Sequence, residues 1–129
     1  MSKVKAEKIN TGITQNERSF VSHELSKVLA DTYRLSLKTQ NVHWNVKGPL
    51  FHTVHVMTEA QYGELASATD EIAERIRALG YRAPGSLAEF LELSSISDLK
   101  PGLDGKSMVK ALVTDHEAIV RSLRAAQEH

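Results

Sequence analysis

Apolar side chains recur at intervals of three and four over most of the chain, and strict alternation is absent. Val21, Leu25, Val28, Leu29, Thr32 and Leu35 fall on one face of a helix, because about 3.6 residues per turn returns such positions to the same side. They predict a first long helix over about 15–45. Val54, Met57, Gln61, Leu65, Ala68, Ile72, Ile76 and Leu79 predict a second over about 50–79. Met108, Leu112, Val113, Ile119, Val120 and Leu123 predict another over roughly 104–128. The boundaries carry their own signals. Thr14 and Glu17 match a capping box, in which the threonine oxygen accepts a free N–H and the glutamate reaches back. Ser86 and Glu89 match a second, so "SLAEFLE" reads as a short helix. Gly48 suits a left-handed stop, Pro49 the first turn of the next helix, and Gly80 a second stop.

The pattern is therefore all-α, with three long helices and one short one, no strand and no repeat. Residues 1–13 are polar and aperiodic and read as a flexible tail; 14–129 form one domain. Three long amphipathic helices leave an apolar groove that a fourth would close. The sequence stops on "RSLRAAQEH" without a Gly or Pro signal. Either an oligomer fills the groove or the fourth helix of a bundle is missing from this chain, and the second alternative is the expectation.

Composition narrows the function without choosing it. A chain of 129 residues, 41% hydrophobic and 25% charged, fits one soluble domain. Acidic and basic residues balance, so net charge selects neither nucleic acid nor a membrane surface. There is no cysteine, which excludes disulfides, thiolate metal sites and cysteine nucleophiles and fits a reducing cytoplasm. No segment is long and apolar enough to span a bilayer, and "MSKVKAEKIN" does not resemble a signal peptide.

Candidate chemistry gathers around "NVHWNVKGPLFHTVH", which holds His43, His52, His55 and Trp44. His55 and Glu59 are four apart and share a helix face, as do Asp70 and Glu74. Imidazole and carboxylate at that spacing are ordinary ligands for iron, manganese or zinc; acidic pairs are also the usual surface of a solvated helix. Fifteen residues from His55 to Asp70 span about 22 Å but bring the side chain back to within about 60° of its first direction. One metal cannot reach both pairs. Two copies crossing antiparallel near Gly63 would bring the His55 end of one helix against the Asp70 end of the other, twice, as two-fold symmetry requires. His43 could reach the His55 end across the turn. No Glu has a His three residues later, so the usual Glu-x-x-His di-iron arrangement within one bundle is excluded.

"KTQNVHWNVKGPLFHTVH" followed by "LASATDEIAERIRALG" resembles the Dps family, the ferritin-like DNA-binding proteins of starved cells, from about residue 15 onward. The resemblance implies a ferritin-like four-helix bundle with a short helix between the second and third long ones. It implies a hollow homo-oligomer of twelve subunits and ferroxidase centres at two-fold interfaces. It implies iron ligands at His43, His55 and Glu59 of one subunit and Asp70 and Glu74 of the next. Glu59 departs from the family's commoner aspartate and reaches one methylene further. Trp44 is implied as a nearby aromatic that intercepts oxidising equivalents, with a core or interface tryptophan as the alternative. His52 sits where it could support the ligands, or is an exposed bystander; His23 and His116 read as structural or surface residues.

The expected function is then Fe(II) oxidation by hydrogen peroxide, with storage of the ferric product and protection of DNA, in the cytoplasm. The alternative is a DNA-compacting structural protein in which Lys3, Lys5 and Lys8 contact phosphates non-specifically at the nucleoid. A helical interaction domain without metal chemistry is a third.

Overall fold

The computed structural model describes residues 8–127 and contains four helices: α1, Gln15–Asn45; α2, Phe51–Ala78; α3, Leu87–Leu93; and α4, Gly105–Gln127. Among the described residues there is no strand. Three helices are long and one is short, in the predicted order, with ends within a residue or so of those the periodicity gives. Lys3 and Lys5 lie outside the described residues; Lys8 lies within them and is exposed.

α1 is the central element, packed by α2, α3 and α4, whereas α4 touches α2 at few points. One core cluster joins Leu35, Val42 and Val46 to Val54 of α2 and to Met108 and Leu112 of α4. A second, at the opposite end, joins Leu29 and Ala30 to Ile76 and Phe90. Burying a side chain of leucine or valine size contributes about 1.5–3 kcal/mol, so these two clusters are the main hold on the helices. Met57 is not part of either. It is 37% exposed, and the next residue, Thr58, is the one fully buried. Val113, Val120 and Leu123 form an exposed apolar edge on α4, beside the face that Met108 and Leu112 bury.

Polar contacts set the helix ends. Thr14 caps α1 by accepting from the Glu17 amide at 3.1 Å. α1 stops at Asn45, and Gly48 turns the chain with φ +87°. Pro49 lies in that turn, two residues before α2, and not in its first helical turn as the sequence predicted; Leu50 precedes the helix without a side-chain cap. At the far end, the buried Arg18 donates from Nη1 to the Leu79 carbonyl at 2.8 Å, satisfying a C-terminal acceptor of α2. Asp31 of α1 accepts from Ser94 Oγ and the Ser95 amide, both at 2.7 Å, and pins the segment after α3. Asp104 starts α4 by accepting from the Ser107 amide at 2.9 Å, and these Ser107 hydrogen bonds lower its carboxyl below its usual value.

α3 is held by a reciprocal cap. The Glu89 amide donates to Ser86 Oγ at 3.2 Å, and Ser86 Oγ donates to Glu89 Oε1 at 2.8 Å. Arg82 Nη1 adds a bond to Glu89 Oε2 at 2.8 Å. Arg82 first and Ser86 second hold the Glu89 carboxyl down to about 2, from 4.5. A depressed carboxyl stabilises the fold above its unfolded value and loses that contribution as pH falls toward the folded one. Between pH 4.5 and about 2 the α3 cap is therefore expected to loosen. Ser86→Ala is expected to cost about 0.5–2 kcal/mol. It should also raise the Glu89 midpoint, read by carboxyl NMR titration; an unmoved midpoint would remove the reciprocal cap from the account.

Candidate metal centre

The turn between α1 and α2 folds His43 back against His55. Their rings stack with centroids 3.7 Å apart and an interplanar angle of 16°. Each ring bonds to the other residue's backbone: His43 Nδ1 lies 2.7 Å from the His55 carbonyl oxygen, and His55 Nδ1 lies 2.8 Å from the His43 carbonyl oxygen. A carbonyl only accepts, so each Nδ1 must carry a hydrogen. In the neutral imidazole the free lone pair is then on Nε2, the nitrogen left to bind a metal. Such a bond on the non-ligating nitrogen is the usual device for fixing a ligand's tautomer and ring orientation. Here the two candidate ligands supply it to one another.

Thr58 completes the arrangement. Its hydroxyl donates to the Val54 carbonyl at 2.6 Å, which leaves oxygen lone pairs facing His43 Nδ1 at 3.3 Å. Phe51 stacks on His55 at 5.0 Å, and Tyr62 meets His43 edge-on at 5.4 Å. His43 is 8% exposed and His55 half-buried, so the pair is held in packed surroundings at the surface of one end of the fold.

The carboxylates stand apart from this pair. Glu59, Asp70 and Glu74 all lie on α2 and are exposed. Asp70 borders a cavity of about 280 Å³ with Leu29, Tyr33, Ala73 and Phe90, at the other core cluster. Among the described residues no three His, Asp or Glu side chains converge to hold a metal. The chain thus brings His43 and His55 together and leaves Asp70 and Glu74 toward the far end of the same helix. Gly63, midway, has no atom near the place a Cβ would occupy, so that stretch of α2 is open in the single chain.

His52 is exposed. Trp44 is 62% exposed and borders a groove with Arg34, Leu37 and Asp98; among the described residues no ring contact joins it to either histidine. The sequence reading missed Thr58 and Tyr62. Thr58 had a visible signal, since it stands one helical turn after Val54 on the buried stripe. The donor set suits iron: imidazole for Fe(II), and exposed carboxylates that gain most from a harder Fe(III).

Comparison with known proteins places the chain among ferritin-like proteins. Residues 22–129 match the family described as "Ferritin-like domain". A low temperature-induced protein of Nostoc sp. is 40% identical over 118 residues, covering 91% of this chain and 66% of its own length. DNA protection during starvation protein 2 of Bacillus anthracis is 41% identical over 104 residues, covering 81% of this chain and 71% of its own length. Among solved structures, the Dps protein of Vibrio cholerae, described as a ferritin-like diiron-carboxylate protein, superposes with TM-score 0.88. It is 27% identical and covers 98% of this chain and 79% of that one. Dps from Staphylococcus aureus gives TM-score 0.81 at 38% identity, covering 84% of this chain and 72% of that one.

Proposed function

The chain belongs to the Dps family of ferritin-like proteins, and on that premise we propose that it binds and oxidises Fe(II) at sites shared between two copies. The observation that carries the reading is the reciprocal His43–His55 clasp, which spends both Nδ1 hydrogens on backbone and frees both Nε2 lone pairs. Two imidazoles do not make an iron site alone, and among the described residues of one chain no third donor converges with them. A second copy, antiparallel along α2, supplies Asp70 and Glu74, while Glu59 adds a carboxylate one turn from His55. Twelve copies in a closed shell are the assembly that the family resemblance favours, with the ferric product held inside.

Hydrogen peroxide is the proposed oxidant. Two Fe(II) give two electrons, the O–O bond breaks, and with two protons the products are two Fe(III) and two waters. No radical is released, and this is how the chain would protect DNA. Imidazole binds the Fe(II) substrate, and the anionic oxygens pull the equilibrium toward Fe(III).

The assembled protein, loaded anaerobically with Fe(II) and then given peroxide, is expected to consume about two Fe(II) per peroxide, as the electron balance demands. Ferric absorbance should rise in step. A ratio near one, with hydroxyl radical detected by a spin trap throughout, would reject paired oxidation.

A further inference from the structure

Thr58 carries a hydroxyl where a valine would have the same shape. It is fully buried, one helical turn after the core residue Val54. Its hydroxyl donates to the Val54 carbonyl at 2.6 Å. α2 does not need that bond. In an α-helix each carbonyl already accepts from the amide four residues on, and a hydroxyl bonded back in this way slightly weakens the helix. Thr39 of α1 is equally buried and makes the same bond, to the Leu35 carbonyl at 2.7 Å; among the described residues no second side chain bonds to its oxygen. Thr58 differs, since its oxygen also lies 3.3 Å from His43 Nδ1.

The hydrogens around that oxygen have one arrangement. His43 Nδ1 carries a hydrogen, because it lies 2.7 Å from the His55 carbonyl, which only accepts. The Thr58 hydroxyl has a single hydrogen, and the short bond to Val54 takes it; the His55 carbonyl, 3.2 Å away, is the weaker alternative. Toward His43 the Thr58 oxygen can then only accept. We propose that Thr58 is a positioning residue for iron binding, a second acceptor that fixes the His43 ring with Nε2 free for the metal. The proposal rests on the iron reading above. A single hydrogen bond leaves a ring free to pivot about that bond. Acceptors on His55 and Thr58 give the His43 N–H two fixed points, nearly a turn apart on α2. Among the described residues His55 has no such support, and its Nδ1 is paired with the His43 carbonyl alone. The hold on His43 is thus the stronger of the two, and Thr58 supplies the difference.

The test compares three variants of the assembled protein with wild type. Thr58→Val exchanges the hydroxyl for a methyl group, Thr58→Ser keeps the hydroxyl, and Thr39→Val removes a matched buried hydroxyl elsewhere. Solid-state nitrogen NMR of histidine-labelled, metal-free protein, at a pH where imidazole is neutral, reads the His43 ring; its signals are those absent from His43→Gln. Wild type, Thr58→Ser and Thr39→Val are expected to show one His43 state, protonated on Nδ1. Thr58→Val is expected to add a second state, with the hydrogen on Nε2. Peroxide-driven ferric absorbance, followed against Fe(II) concentration, should give a KM raised about 10-fold in Thr58→Val with kcat unchanged, the low end for losing a partner of a metal-binding histidine. A single His43 state in Thr58→Val, or an unchanged KM, overturns the role while leaving the iron site standing. Thr58→Ser or Thr39→Val behaving like Thr58→Val also overturns it, because the effect is then one of packing and not of this hydroxyl. No ferric absorbance in wild type defeats the iron reading, and the iron-binding role of Thr58 with it.

Discussion

Two inactive variants of this chain are expected to regain about a quarter of the wild-type iron sites when they share an assembly. One variant carries His43→Ala and His55→Ala, the other Asp70→Asn and Glu74→Gln. In a symmetric pair each site takes histidines from one copy and Asp70 and Glu74 from the other. A pair of identical variants therefore has no complete site. A mixed pair has one site damaged on both sides and one wholly intact. Random mixing makes about half of the pairs mixed, and half of the sites in those are whole, which gives about a quarter. Each parent alone should lose Fe(II) affinity by at least about 100-fold, since loss of supporting partners alone costs about 10–100-fold in metal sites. Co-expression with two tags, double purification and peroxide-driven ferric absorbance measure the recovery. If the mixture is as inactive as its parents, or the acidic variant alone oxidises iron normally, the site does not cross between copies.

The legible part of the proposed site was the spacing of its candidate ligands. His55 and Glu59, and Asp70 and Glu74, are separated by one helical turn, and helix geometry alone fixes that they share a face and lie too far apart to cooperate within one chain. The clasp between His43 and His55 was not legible. It runs from side chain to backbone across a turn, and a backbone carbonyl leaves no mark in residue type. Tyr62 was missed for a related reason. It meets His43 only because α2 returns antiparallel along α1, so its partner is nineteen positions away in sequence and one ring away in space.

Capping-box signatures marked Thr14, Ser86 and the short α3, and apolar periodicity placed the three long helices. It chose Met57 over Thr58 as the buried position because the pattern scores hydrophobicity, whereas the fold buries a hydroxyl whose hydrogen bonds are met locally by the Val54 carbonyl. Asp31, Lys38 and Asp115 are also buried, where an apolar pattern places nothing. Charged residues are almost never fully buried unless paired, so a sequence gives no reason to place them inside until their partners are known. The exposed edge of Val113 and Val120 on α4 was read as part of the helix stripe, and in the single chain it faces outward.

Lys38→Met is expected to destabilise the fold by about 3–5 kcal/mol, the range for breaking a buried ion pair from one side. Lys38 Nζ lies 2.7 Å from Asp115 Oδ2, with side chains only 7% and 11% exposed. The ammonium also donates to the Ser97 carbonyl at 2.8 Å. The Asp115 oxygen thus has a close opposite charge but no well-directed hydrogen bond. Removing the lysine leaves the buried carboxylate without its counter-charge and deprives Ser97 of its donor. The same contact ties α1 to α4 and to the segment after α3, so its loss also frees the part of α1 that presents His43. Asp115→Leu should cost less, because Lys38 keeps Ser97 and a flexible stem that reaches toward water. The double variant should recover part of the Lys38→Met loss, with a coupling of about 0.5–3 kcal/mol, as expected for residues in contact. Urea midpoints at matched protein concentration measure all three, since assembly adds its own stability. Strictly additive losses would mean that the two charges do not stabilise one another, and that α4 is held on α1 by the Met108 and Leu112 cluster alone.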